Sequence, residues 1–443
     1  MSEPQRASTA QPLPPSLNFK LSTMMFLQYA IWGAWLPFLW AFLSVHRGMD
    51  GAAIGNMFAA GAVGAIFGPF FAGQLADRYF STEKLLGISH LLGAALIWQL
   101  ATIESESGFL IFSLVYGLVY APTLSLTNSL AFHHLPDRDR DFGRVRLWGT
   151  VGWIIVGLAM GHWLAFQHTP TDAAQDVINA AQAAGKADAF KLSAILGAVM
   201  GLYCFTLPKT PPTSGGELKR SNATMEALGE SCRQPLFTLF LLAVPVSCIH
   251  QFYFVHTEGF LTAKQLSAPA WSKLIFGEGG GGLMTVGQMS ELLVLVAVPL
   301  VAKSVSRKSL LMVGLIAYGV RMALFAYVDV IPLPIMLTLL MGIALHGLCF
   351  GCFIFVAFMV VDEEMAPDVK ASGQNLFNLV IIGIGIVVGS LIAGWVAGWA
   401  TVDGVMQYDK LFSLPMWGAL GCLILFLLSY PNKNKAITKA GAE

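Results

Sequence analysis

Twelve long apolar runs occupy most of this 443-residue sequence and restrict it to folds that a lipid bilayer accepts. Each run has about twenty mostly apolar residues, the length that an α-helix needs to cross the hydrocarbon core. The runs are continuous, whereas the strands of a membrane barrel alternate apolar and polar residues. The sequence therefore predicts an all-α integral membrane protein with twelve transmembrane helices. The runs lie near residues 20–44, 54–77, 84–103, 107–131, 143–166, 188–207, 235–262, 283–303, 309–328, 332–361, 371–399 and 410–430.

Composition excludes several other classes of protein. Only 12% of the residues are charged, whereas soluble domains have about 25%, so a large soluble enzyme is disfavoured. The 26 basic residues equal the 26 acidic ones, which leaves no net charge to neutralise a nucleic-acid backbone. The expected surroundings are a lipid bilayer, and we expect no nucleic-acid partner.

A polar segment divides the runs six and six. The predicted domains are an N-terminal tail (1–19), a first six-helix half (20–207), a linker (208–234), a second six-helix half (235–430) and a C-terminal tail (431–443). Nineteen Lys and Arg residues lie on the linker side of the runs and six on the other side, which predicts that the linker and both termini are cytoplasmic. Two such halves are typical of secondary transporters, which hold the substrate between them near the midplane.

No motif for a metal ion or a cofactor stands out, and we expect neither. Cys349 and Cys352 form a C-x-x-C inside an apolar run, without the second ligand pair that a zinc site needs. His133 and His134 precede aspartates that alternate with arginines, which indicates a solvated loop. The glycine-rich residues 277–282 lack the Gly-Lys-Ser/Thr of a phosphate loop, so we interpret them as a flexible external loop.

Three charged residues stand out within the runs, Arg146, Glu291 and Arg321, because a charge at membrane depth is costly and generally faces a cavity or a partner. Gln288 lies three residues before Glu291 and so shares its helix face. An unpaired carboxylate at this depth either takes up a proton or needs a basic partner. Both outcomes suit proton coupling or ligand binding.

Arg146, Thr150 and Trp153 recur at the spacing of one helix face. Together they offer a cation, a hydroxyl and an aromatic plate. An anchor at the cytoplasmic end is an equally good interpretation of Arg146, because other arginines surround it. For other polar residues in the runs, such as His90, Asn375 and Asn378, interhelical hydrogen bonds are the favoured interpretation.

Local motifs resemble a known family of transporters. Residues 73–78 (GQLADR) resemble the G-x-L-x-D-R motif of the major facilitator superfamily, in which Gly73, Asp77 and Arg78 would have a conformational role, although the usual basic tail is missing. Five further segments resemble the nucleoside:proton symporter family of that superfamily. They are residues 26–35 (FLQYAIWGAW), 120–128 (YAPTLSLTN), 146–150 (RLWGT), 288–291 (QMSE) and 321–327 (RMALFAY).

The resemblance implies a major facilitator fold and the import of nucleosides by alternating access, driven by the proton gradient. It also implies a functional monomer in the bacterial plasma (inner) membrane, with a nucleoside and a proton as its substrates. The substrate-binding residues implied by the matched motifs are Arg146, Thr150, Trp153, Gln251, Phe254, Gln288, Glu291, His346 and Phe350.

The chain departs from the family pattern at two of these residues and at the position that follows Phe350. Phe254 stands where the family has an asparagine, and His346 stands where it has a tyrosine. The acidic residue that follows the tenth-span aromatic is Gly351 here. Proton coupling would then rest on Glu291 or be absent.

The sequence leaves alternatives open. A sugar or oligosaccharide symporter would also use aromatic residues and carboxylates, and a facilitative nucleoside carrier would need no proton site. An integral-membrane enzyme or sensor is a more distant alternative, because the connections are too short for a soluble output domain.

Overall fold

The computed structural model describes residues 12–78, 80–212, 223–264, 269–367 and 369–431. The first half contains α1 (Pro15–Trp35), α2 (Leu39–Ala41), α3 (Gly51–Arg78), α4 (Thr82–Leu100), α5 (Glu106–His134), α6 (Arg138–Gln167), α7 (Gln175–Gly185) and α8 (Ala187–Cys204). Helix α9 (Ala223–Ser231) lies in the linker. The second half contains α10 (Leu236–Lys264), α11 (Ala270–Phe276), α12 (Gly280–Val301), α13 (Arg307–Ala326), α14 (Ile335–Leu348), α15 (Val356–Glu364), α16 (Lys370–Asn378), α17 (Gly385–Ala400) and α18 (Tyr408–Ser429).

Eleven helical stretches within these ranges are long and apolar enough to cross a membrane. They correspond to eleven of the twelve predicted runs. The remaining run, near 84–103, forms α4, in which Glu83, Lys84, His90 and Gln99 lower the mean hydropathy. The all-α membrane fold is confirmed, whereas this measure does not establish the number of twelve spans.

The structure corrects the interpretation of residues 277–282 as a flexible loop. Gly277 and Gly279 have positive φ angles and form a tight turn, and α12 begins at Gly280. Gly282 is buried so closely against the carbonyl group of Phe276 that a side chain would collide with it. Glycine is needed here for backbone conformation and close packing.

Helix pairing repeats between the two halves. In the first half α1 packs on α6, α3 on α5, and α4 on α8. In the second half α10 packs on α17, α12 on α14, and α13 on α18, which is the same pairing shifted by six spans. The repeat is the arrangement expected when two similar halves form one transporter.

The halves meet at one end of the bundle. We name the end where α1 begins and α18 ends the linker end, and the opposite end the distal end. Contacts between halves join α3 to α17, α6 to α12, and α2 to α10. Gly51 and Gly55 of α3 lie against α17, where a Cβ on Gly55 would be 2.8 Å from the carbonyl oxygen of Ser390. Such small residues let helix backbones approach closely in a membrane.

A buried ion pair also joins the halves at the distal end. Lys186 precedes α8, and its Nζ lies 2.9 Å from Oε1 of Glu258 in α10, with the two side chains 3% and 0% exposed. The Thr262 hydroxyl donates a second hydrogen bond to the same carboxylate oxygen, at 3.0 Å. The distal end is therefore closed by both backbone packing and paired charges.

The linker end carries a cleft of about 300 Å³. It is lined by Phe355, Phe358, Met359, Asp362, Glu363 and Gln374. Nearby, the Glu230 carboxylate of α9 accepts a hydrogen bond from the backbone N–H of Ala366, at 3.0 Å, and so ties the linker to the second half.

Three membrane-spanning stretches contain breaks in regular α-helix. A 3₁₀ segment (Leu36–Phe38) and a π-helical segment (Phe42–His46) interrupt the first span, and π-helical segments lie at Cys349–Phe355 and Leu379–Ile384. π-Helical turns often occur at functional sites. A two-stranded hairpin of β1 (Thr401–Val402) and β2 (Val405–Met406) joins α17 to α18.

Candidate functional site

His346 on α14 connects two charged residues from neighbouring helices. Its Nε2 lies 3.3 Å from Oε2 of Glu291 on α12, and its Nδ1 lies 3.1 Å from Nη1 of Arg321 on α13. His346 is 1% exposed and Arg321 is fully buried. Two charges and a histidine that lie far apart in the sequence therefore form one buried cluster.

Aromatic rings hold the Arg321 guanidinium. Its Cζ lies 4.6 Å from the ring centroid of Tyr253 and 5.1 Å from that of Tyr318, and both contacts are cation–π interactions. Its Nε and Nη2 have no hydrogen-bond partner among the residues that the structure describes. Buried donors left in this way are rare in folded proteins, and each calls for a physical explanation.

Two further buried polar atoms near this cluster also lack a partner within the described ranges. They are the Tyr253 hydroxyl and Oε1 of Gln288, the residue one helical turn before Glu291. A Cβ on Gly287, the residue before Gln288 on α12, would lie 2.6 Å from the Tyr253 hydroxyl, so α12 and α10 are in close contact here. The site thus offers unused donors on Arg321 and an unused acceptor on Gln288.

Stacked aromatic rings form one wall of the site. The His346 ring stacks on Tyr253 at a centroid distance of 4.5 Å and on His250 at 5.3 Å. The Tyr318 hydroxyl forms a hydrogen bond of 2.8 Å with Nδ1 of His250. Phe350, in the π-helical segment, lies 6.3 Å from the His250 ring.

Aromatic contacts continue from this wall into the first half. Phe254 of α10 meets Trp153 of α6 edge to face at 6.2 Å, and Trp153 meets Trp32 of α1 at 5.5 Å. Gly33 makes room for the indole, because a Cβ there would lie 2.8 Å from Cδ2 of Trp153. The structure therefore places Trp153 and Phe254 together where the halves meet.

Arg146 also belongs to this region. Its guanidinium Cζ lies 3.9 Å from the centroid of the Tyr29 ring on α1, and its charge acts on Glu291 across the interface between halves. A Cβ on Gly149 would lie 2.9 Å from Nη1 of Arg146, so glycine at that position leaves space for the guanidinium. The side chain therefore packs against α1 and is more than an anchor at the linker end.

The remaining predicted binding residues differ in their burial and in their hydrogen bonds. Thr150 is buried one turn before Trp153 on α6. The Gln251 amide nitrogen donates one of its two N–H groups to Oγ of Ser390, at 3.0 Å, which fixes the orientation of the amide. Gly73, Asp77 and Arg78 lie in the last two turns of α3, and their side chains fall outside the described part of the structure.

Gly351 lies against α12 and not in the charged cluster. A Cβ at this position would be 2.5 Å from Cγ1 of Val294. The nearest carboxylates along the tenth span, Asp362 and Glu363, form ion pairs with Lys370 and Arg307 at the linker end. They do not substitute for an acidic residue at position 351.

Gln28 and His90 form a separate buried cluster inside the first half. The Gln28 amide donates to Oγ1 of Thr123, at 2.8 Å, and its carbonyl oxygen lies 2.9 Å from both Nε2 of His90 and Oγ1 of Thr127. These are the interhelical hydrogen bonds that the sequence suggested for His90. The cluster holds α1, α4 and α5 together.

Sequence reasoning missed several members of the site. Arg321 was recognisable as a charge at membrane depth, but it was not assigned to the site. Nothing local distinguishes Tyr253 or His250 from other polar residues in helices. The pair between Lys186 and Glu258 was missed because both residues lie near the ends of runs, where charges are common.

Comparison with known proteins identifies the family. The profile of the Nucleoside H+ symporter family matches residues 16–435. The chain belongs to this family. It is a multi-pass membrane transporter of the nucleoside–proton symport class and not an enzyme, as the resemblance implied.

Individual relatives agree. YegT of Escherichia coli K12, described as a nucleoside transporter, is 32% identical over 380 residues, which cover 85% of this chain and 83% of YegT. The nucleoside permease NupG of Escherichia coli K12 is 26% identical over 417 residues, covering 90% of this chain and 92% of NupG. The crystal structure of a NupG variant matches with a TM-score of 0.82 at 23% identity, covering 94% of this chain and 100% of that one, which confirms the predicted major facilitator fold.

Proposed function

We propose that the protein imports nucleosides with protons by alternating access, as a monomer in the plasma membrane with its termini and linker in the cytoplasm. The nucleoside is held where the halves meet, beside Trp153, Phe254 and Glu291. The observation that carries this proposal is the set of buried polar atoms on Arg321 and Gln288, next to those rings, that have no hydrogen-bond partner among the described residues. With the linker in the cytoplasm, the distal end faces the outside. Because the halves meet at the distal end, the structure is the state of the carrier that is closed to the outside.

The chemistry of a nucleoside fits these groups. Its base is a flat ring that stacks on aromatic side chains, with about 1–3 kcal/mol per stacked base in nucleic-acid complexes. Trp153 and Phe350 are the aromatic side chains proposed to stack on the base, and Phe254 lies between the halves. Oε1 of Gln288 accepts from a ribose hydroxyl, Thr150 and the Gln251 carbonyl supply further polar contacts, and the free N–H groups of Arg321 donate to a carbonyl oxygen of the base.

Glu291 is the proposed proton site. When ionised, it faces His346 of its own half and the charge of Arg146 in the other half. A proton on Glu291 removes its attraction to Arg146, so the two halves are held together less strongly on that side. One proton thereby shifts the population between the two states of the carrier.

The experiment is uptake of labelled uridine and adenosine into cells that lack nucleoside carriers, with and without a protonophore. We expect saturable uptake that collapses with the protonophore. Glu291→Gln should lose accumulation but keep uridine exchange, whereas Glu363→Gln, a carboxylate variant at the exposed linker end, should accumulate normally.

Other outcomes separate the alternatives. Saturable uptake that only equilibrates would mean a facilitative carrier. Uptake of a labelled disaccharide that unlabelled uridine does not inhibit, with no uptake of labelled uridine or adenosine, would mean a sugar substrate. Full concentrative uptake by Glu291→Gln would overturn the assignment of Glu291.

A further inference from the structure

The position of His346 between an arginine and a carboxylate determines where its ring hydrogen lies. A guanidinium has only donors, so Nδ1 of His346, which faces Nη1 of Arg321 at 3.1 Å, must accept. The ring proton then lies on Nε2, which faces Oε2 of Glu291 at 3.3 Å. Only a neutral imidazole can accept at one nitrogen and donate at the other in this arrangement.

The groups around His346 also oppose a charge on its ring. It faces Glu291 from α12, Arg321 from α13, and Tyr253, Phe254 and His250 from α10. Tyr318 of α13 is hydrogen-bonded to His250, and the charge of Arg146 in α6 acts on Glu291 from the other half. Two guanidinium groups and one carboxylate already leave a net positive charge in a buried place. An imidazolium would add a like charge next to Arg321.

We propose that His346 is a positioning residue for proton coupling: as a neutral bridge it holds the Glu291 carboxylate in place and stabilises its ionised form. The inference rests on the proposed role of Glu291 as the proton site. In the coupling step Glu291 takes a proton from water, and His346 keeps its single ring proton on Nε2. The bridge then loses its anionic acceptor, and the contact between α12 and α14 weakens.

Two substitutions distinguish the hydrogen bonding of His346 from the packing of its ring. His346→Gln keeps one acceptor for Arg321 and one donor for Glu291. His346→Phe keeps a ring that stacks on Tyr253 but has neither. His90→Gln is the matched control, because His90 is equally buried but is bonded to Gln28 inside the first half.

The measurement is the pH dependence of proton-driven uridine uptake in proteoliposomes, together with the KM for uridine exchange. For His346→Phe we expect the midpoint of the pH profile to move about one unit to higher pH, since loss of a hydrogen bond to a charged group favours protonation by roughly that amount. His346→Gln and His90→Gln should keep the wild-type midpoint. His90→Gln should also keep the wild-type exchange KM, and general misfolding would not move the pH midpoint of His346→Phe while leaving that of His346→Gln unchanged.

The possible failures are distinguishable. If Glu291→Gln loses accumulation while His346→Phe keeps the wild-type midpoint, the positioning role is wrong and the proposed function stands. If His346→Gln and His346→Phe lose pH dependence equally while Glu291→Gln retains it, His346 itself carries the proton, and the neutral bridge is overturned. If Glu291→Gln accumulates uridine normally, the proposed proton site and the inference that depends on it both fail.

Discussion

Replacing Lys186 by Met is expected to open the distal end of the bundle. Lys186 is the cation of the buried pair with Glu258 that joins the two halves, at 2.9 Å. After the substitution, the hydroxyl of Thr262 is the one hydrogen-bonded partner that the Glu258 carboxylate keeps within the described part of the chain. In the opened state water reaches that carboxylate, so the loss of the cation destabilises the closed state selectively.

The magnitude follows from the geometry. Two unit charges 2.9 Å apart attract by about 6 kcal/mol at an effective dielectric constant of about 20, before desolvation is counted. Removal of one partner from a buried pair typically destabilises by about 3–5 kcal/mol, because the remaining charge is uncompensated. At about 1.4 kcal/mol per tenfold change, the ratio of distal-open to distal-closed protein should rise by at least about a hundredfold.

Distances between spin labels measured by pulsed electron–electron resonance test this expectation. Labels on Asp176→Cys in α7 and Asp409→Cys in α18 lie on exposed positions of opposite halves at the distal end. In a cysteine-free background, Lys186→Met should convert a short distance population into a longer one. Lys264→Met is the matched control: its ion pair with Asp329 is more exposed and lies within the second half, where such pairs contribute about 0–1 kcal/mol.

A double variant provides the decisive comparison. Lys186→Met with Glu258→Leu removes both charges and leaves no unpaired one, so the distal end should close again. An unchanged distance distribution in Lys186→Met, or a double variant as open as the single one, would refute the gating role of the pair.

Three further predictions concern packing, substrate stacking and stability. Gly394→Val should abolish uridine uptake without loss of expression, because its side chain would collide with the backbone of Gly51 when the distal end closes; normal uptake would contradict this contact. Trp153→Ala should raise the KM for uridine exchange about tenfold, in line with about 1–3 kcal/mol per stacked base, and an unchanged KM would remove Trp153 from the site. Gln28→Leu should lower the thermal unfolding temperature in detergent, because His90 loses its partner at a cost of about 1–3 kcal/mol, while the exchange KM stays unchanged; a raised KM would instead place the cluster in the binding site.

Hydropathy in the sequence was sufficient to locate the spans. A bilayer requires that each segment satisfy its own backbone hydrogen bonds, so about twenty apolar residues in a row already specify a helix. The same rule is weakest for α4, where four polar residues dilute the signal. It also gives no sign of the π-helical segments at Cys349–Phe355 and Leu379–Ile384, because their residues are as apolar as those of the regular helices around them.

The candidate site was only partly visible in the sequence. Arg146, Glu291 and Arg321 stand out because a charge at membrane depth is unfavourable wherever it occurs. Helix-face spacing added Gln288 and Trp153, and the family resemblance added His346, all three as proposed members of the site. Neither source revealed that Gln251 donates to Ser390 or that Gly351 packs against Val294.

The sequence by itself determined that the protein lies in a lipid bilayer, where its spans are, and which charged residues within the spans need a partner. These properties depend on the free energy of transfer of each residue or short segment, which needs no knowledge of the rest of the chain. Only the tertiary structure decided which partners those charges find. Glu291, Arg321 and His346 meet on three helices, and Lys186 meets Glu258 across the two halves, because helix packing brings together residues that no local pattern connects.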